Sequence, residues 1–204
     1  LFAAEVIADT GVPHFSGYLV ELLEDIDPLI VERAIVAAGN VQDPNLVNIL
    51  VKKLAITSLQ RTTTISLRHF GEAALYDLDT GLTSPEATRQ EKNHIIETIK
   101  EIGGGQAIEI LLGHLGIAQP ELRHMVWLNL AKLRYQAEPD DQYTFANSLD
   151  EEAQLITWLL AAMDDLRDEP RFEMLHAALA SELEMRRDSM LLLTSFLFPS
   201  IVIL

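Results

Sequence analysis

The chain has 204 residues, 31 acids against 15 bases, a net charge of −16 and no cysteine. That length buries a sizeable core without covalent staples. The missing thiols exclude disulfides and thiolate metal sites, and the charge argues against general affinity for DNA or RNA, which needs a positive field to release counterions.

Charge is unevenly placed. Residues 1–60 carry 8 acids and 3 bases, 61–135 carry 9 and 8, and 136–204 carry 14 and 4. The last third therefore supplies −10 of the −16, which marks two sub-regions, 1–135 and 136–204. A chain without cysteine suits a reducing cytoplasm. No signal peptide is visible, and a start at Leu1 rather than Met leads us to expect a piece of something longer.

In chain order, residues 6–8 with Gly11 and then "YLVELLED" (18–25) read as a first helical pair. Asp27 and Pro28 form an N-cap and N1 pair. They open "LIVERAIVAAG" (29–39), whose Ile30, Val31, Ala34, Ile35 and Ala38 share one helical face, with Gly39 expected as its stop. Asp43 and Pro44 restart the pattern in "DPNLVNILVKKL" (43–54). Further helices are predicted over 57–70, 72–82, 86–102, 106–116 and 120–134, and no strand alternation is visible.

Gly103, Gly104 and Gly105 lack the Lys-Ser or Lys-Thr of a phosphate loop, since Gln106 and Ala107 follow. They read as a hinge, with Gly71 and Gly103 as equivalent left-handed caps. After Arg134, residues 135–152 read as a loop with a short helix near 143–146. Two longer helices, 150–167 and 170–198, are expected to cap the repeats, the former through Ala153, Ile156, Leu160 and Met163. The apolar stretch 190–204, "MLLLTSFLFPSIVIL", is shorter than a membrane span and broken by Pro199, so it reads as a packed terminal helix.

The expected helix ends, Ala38-Gly39, Phe70-Gly71, Ile102-Gly103 and Leu133-Arg134, fall 32, 32 and 31 residues apart. Two helices per unit at that period are the signature of an α-solenoid. The units, best in "LVELLEDIDPLIVERAIVAAGNVQDPNLVNILVKKL" (19–54) and again in "GIAQPELRHMVWLNLAKLR" (116–134), resemble HEAT repeats of the short, phycobilisome-lyase-like kind. The resemblance implies an all-α, right-handed, armadillo-like α-solenoid with a C-terminal two-helix cap. One departure is clear. HEAT units often place an Asp six residues before an Arg, and here only Asp27 and Arg33 do so, with Thr83 and Ile117 before Arg89 and Arg123. More specifically, 1–54 and "ELRHMVWLNLAKLR" resemble the HEAT region of bacterial nucleotide-transporter-like membrane proteins. That likeness implies a cytoplasmic scaffold domain tethered to the inner membrane through transmembrane segments elsewhere in the chain, with a cyclic-nucleotide-binding domain able to follow.

Glu-x-x-His occurs three times, as Glu91/His94, Glu121/His124 and Glu173/His176. Carboxylate-bridged di-metal bundles use two such pairs, so a di-metal helical enzyme is the alternative reading. Glu91 and Glu121 stand at helix starts, where carboxylates simply complement the dipole. No G-x-S-x-G or triad context occurs, and the pairs Asp140/Asp141 and Asp164/Asp165 lack an EF-hand pattern. No catalytic residue, metal or cofactor is expected. Nine of the 15 bases, Arg33, Arg61, Arg68, Arg89, Lys92, Lys100, Arg123, Lys132 and Arg134, lie on one helix of each unit. We expect Arg33, Arg61, Arg68, Arg89, Lys92 and Arg123 to mark a concave interaction surface, with Arg33, Arg61, Arg89 and Arg123 exposed. Its partner is expected to be an acidic protein or a domain of the same chain, including segment 136–169, and not nucleic acid.

Overall fold

A computed structural model describes residues 16–116, 119–166 and 170–198, and the regular structure among them is entirely helical. The expected copy at residues 6–11, Ile117 and the end of the apolar terminal run lie outside the described residues.

Local chemistry sets most helix boundaries. Helix α1 spans Ser16–Leu23 and α2 spans Pro28–Val41. Asp27 caps α2, its Oδ1 accepting from the Leu29 amide at 2.9 Å ahead of Pro28. Asp43 does the same for a 3-10 turn, Pro44–Leu46, that runs into α3, Val47–Lys53. The Ser16 hydroxyl and the Asn45 amide hold the Asp43 carboxyl below its ordinary value.

Gly39 does not stop α2. The helix continues to Val41 and ends at Gln42, which takes the left-handed conformation itself (φ 54°, ψ 35°). Gly39 is buried because α4 crosses there: a Cβ at this position would meet Ser66 Oγ at 2.9 Å and Ser66 Cα at 3.0 Å.

Helix α4 spans Gln60–Phe70, followed by the 3-10 turn Gly71–Ala74 and α5, Leu75–Thr83. Helix α6, Arg89–Ile102, opens with a reciprocal capping box between Thr88 and Glu91. Gly103 (φ 71°, ψ −164°) closes it and α7, Gly104–Gly113, begins at once. The triple glycine is thus a helix-to-helix hinge. Gly71 (φ 58°, ψ −136°) and Gly103 share the positive φ expected of them, in the glycine-only region rather than the left-handed helical one.

The chain divides into two compact units between Leu122 and Arg123. In the first, α2 packs on α4 and α4 on α6; α3 packs on α5 and α5 on α7. Contacts of α3 with α4, α5 with α6, and α6 with α7 join the two rows. Leu50, Leu67, Leu75, Leu78, Ile96 and Ile99 are wholly buried in this unit, each contributing about 1.5–3 kcal/mol of apolar burial. Small polar residues let the α2, α4 and α6 backbones approach. Ser66 Oγ donates to the Ile35 carbonyl at 2.8 Å, and the Thr64 and Thr98 hydroxyls meet at 3.1 Å.

The division falls in the first turn of α8, Pro120–Lys132. The second unit contains a two-helix hairpin: α9, Pro139–Asp165, and α10, Glu173–Leu197, preceded by the 3-10 turn Pro170–Phe172. The expected loop over 135–152 is therefore helical from Pro139 onward. Pro139 occupies the first turn, Asp140 and Asp141 complement the dipole, and the inward positions alternate by three and four: Phe145, Leu149, Glu152, Ile156, Leu159, Met163. The glutamate in that series hides it from a search for apolar periodicity. The expected inner face is likewise corrected, since Leu159 is buried and Leu160 is half exposed. Tyr135, Phe145 and Phe196 stack with ring centroids 5.1–6.1 Å apart at the open end of the hairpin.

Candidate functional site

The arginines expected to form a surface have different fates. Arg33 on α2 and Arg61 on α4 are exposed on adjoining helices, beside a contact in which Thr62 Oγ1 donates to Glu32 Oε1 at 3.2 Å. Arg68 and Arg89 are also exposed but reach forward to acids, Arg68 to Glu101 on α6 at 3.6 Å and Arg89 to Glu121 on α8 at 3.2 Å. Such surface pairs contribute at most about 1 kcal/mol each, and they keep both arginines oriented along the row of helices. Lys92 is half-buried on α6, and Lys100 pairs with Glu101.

Arg123 corrects the expectation. Its side chain is only 18% exposed, donates to Glu151 at 3.3 Å, and approaches Glu152 at 3.9 Å. It also lies 5.8 Å from the centre of the Trp127 ring. It belongs to a charge cluster inside the second unit and is not a surface guanidinium.

At the centre of that cluster Glu152 is 1% exposed and takes a forked contact from Arg186 Nη1, at 2.9 and 3.1 Å. Arg186 also donates through Nε to Glu182 at 2.7 Å. Burial pushes the Arg186 pKa down, and the hydrogen bonds it donates to Glu182 and Glu152 more than offset that and hold it above its ordinary value. His124 Nδ1 lies 2.8 Å from Ser189 Oγ. Its pKa is lowered by burial, against the pull of Asp188 and Glu152 and with the help of Arg186. The sequence by itself does not bring these residues together. The available signal was two charged residues, Glu152 and Arg186, at positions where the three–four spacing demands apolar ones. With Glu152 buried and held at both oxygens by Arg186, the cluster reads as an internal clamp.

The Glu-x-x-His pairs are not assembled. Glu91 accepts from the Thr88 amide at 3.0 Å, His94 lies 3.4 Å from Glu97, and Glu121 holds Arg89. Glu173 is exposed and His176 half-buried on α10. Among the described residues no three His, Asp or Glu side chains come together as metal ligands would. Asp140 and Asp141 sit in the first turn of α9. There Asp141 accepts the Tyr135 hydroxyl, which together with burial raises the tyrosine to about 12.

A cleft of about 400 Å³ opens between α3, α5 and the start of α6. Asn48, Lys52, Asp77 and Glu86 stand on its walls, and Val51 and Ile95 lie beneath.

None of the models of known protein families matches the chain, and no curated protein is significantly similar to it. No helix among the described residues is long and apolar enough to cross a membrane.

Proposed function

We propose that this chain is a non-catalytic helical-repeat interaction domain, a HEAT-like α-solenoid, serving as the cytoplasmic part of a transporter-like membrane protein. The observation that carries the reading is the double row in the first unit, α2–α4–α6 and α3–α5–α7, each helix packed on the next of its row. An α-solenoid extends such rows, and it binds along the face they build. The ionic contacts support the same view: Arg68–Glu101 and Arg89–Glu121 link successive helices, while Arg33 and Arg61 face solvent. The partner read from these two arginines is an acidic segment, of another protein or of the same chain. The transporter association rests on the sequence resemblance alone.

A photo-crosslinking residue placed at position 33 or 61 of the full-length protein tests the reading. Crosslinks to an acidic segment at both positions support it. A folded protein that crosslinks to nothing at either position overturns it. For the transporter association, a full-length gene without hydrophobic spans ends that part.

A further inference from the structure

The cleft between α3, α5 and α6 holds charges of both signs that have no side-chain partner among the described residues. Lys52 on α3, Asp77 on α5 and Glu86 ahead of α6 all line it. Among the described residues none of the three enters an ion pair or a side-chain hydrogen bond, whereas Arg68, Arg89 and Arg123 all do. Its floor is apolar, from Val51 and Ile95. Gly81 keeps that floor close, since a Cβ there would meet Val51 Cγ1 at 3.0 Å and Ile95 Cδ1 at 3.1 Å. A volume of about 400 Å³ lies in the range of about 300–1,000 Å³ typical of ligand clefts.

We propose that this cleft grips a basic, partly apolar peptide segment of the partner. A Lys or Arg side chain lies between Asp77 and Glu86, a neighbouring apolar side chain rests on Val51 and Ile95, and a main-chain carbonyl faces Lys52. The excess of acid over base among the unpaired walls sets the sign of the ligand, and the apolar floor selects a peptide over a plain polyamine. The proposal rests on the interaction-domain reading and adds a second contact, of opposite charge to the Arg33 and Arg61 face and set where the other row of helices meets α6.

The test is fluorescence anisotropy of the whole chain with a labelled peptide of alternating Leu and Lys, its Leu–Glu counterpart, and spermine as competitor. Because a chain of net charge −16 attracts any cation, the variant Asp77→Asn/Glu86→Gln is compared with Glu173→Gln/Glu184→Gln. The control makes the same charge change at two glutamates that do not line the cleft. The proposal expects the Leu–Lys peptide to bind, the cleft variant to weaken it by about tenfold or more, and the control to change it far less. Equal weakening by both variants shows bulk charge only and overturns it, as does displacement by spermine at matched charge concentration. A Leu–Lys peptide that fails to bind, while crosslinks form at positions 33 and 61, overturns this inference and leaves the interaction-domain reading standing.

Discussion

Glu152 and Arg186 are the two charged residues buried in a largely apolar helical seam, and neither is tolerable there without the other. Removing one leaves an uncompensated buried charge, which costs about 3–5 kcal/mol. Arg186→Met alone should therefore lower the denaturation midpoint severely. The double replacement Glu152→Leu/Arg186→Met should recover most or all of the loss, because apolar residues of similar volume are often neutral or better at such sites. A double variant as unstable as the single one would show that Arg123 and Glu182 also depend on the pair. His124 offers a pH-linked test of the same region. Its folded pKa lies below its ordinary 6.5, so between the folded value and 6.5 the unfolded chain holds more protons and stability rises with pH. The contribution is complete above 6.5 and disappears as pH falls through the folded value. Melting curves between pH 7.5 and 5 should show that decline, and His124→Asn should flatten it. Such couplings were not legible in the sequence, because Glu152 and Arg186 meet only across a 34-residue separation.

At the level of helices, glycines separate by conformation and by surroundings. Gly39→Ala gains helix propensity, but its Cβ runs into the Ser66 backbone and the hydroxyl that bonds Ile35. We expect a net loss of about 1–3 kcal/mol from this overpacking, and a larger one for Gly39→Leu. Gly103→Ala should cost about 1–3 kcal/mol for a different reason, its positive φ with extended ψ. Gly105→Ala, two residues on, has open space around it and lies within α7. It should stabilise by about 0.4–1 kcal/mol. Chemical denaturation of the four variants checks the order. The hinge role of the triple glycine could be read from the sequence because Gly103 both ends one periodic run and precedes another. Gly39 looked the same but differs, since what holds it is Ser66 on a neighbouring helix, and no local pattern reports a neighbour.

Across the whole molecule, the helical class followed from periodicity, and the starts of α2 and of the turn into α3 followed from Asp27–Pro28 and Asp43–Pro44. The long α9 did not, because its inward face carries a glutamate and its exposed faces carry Trp158 and Leu160. The cleft at Lys52, Asp77 and Glu86 had no sequence signal, being assembled from two helices and the turn ahead of a third, whose charges look like ordinary solvated ones. The row arrangement of the first unit has a kinetic consequence. Its main packing partners are helices one or two places apart in the chain, so its contact order is low and its loop-closure penalties are small. Such a unit can consolidate from one end while the rest of the chain is still emerging from the ribosome. Nearest-neighbour stacking also lets its end helices open without the centre. Native-state hydrogen exchange should then show amide protection highest in α4 and α5 and falling toward α1 and α7. A uniform protection across the unit would mean that it opens only as a whole.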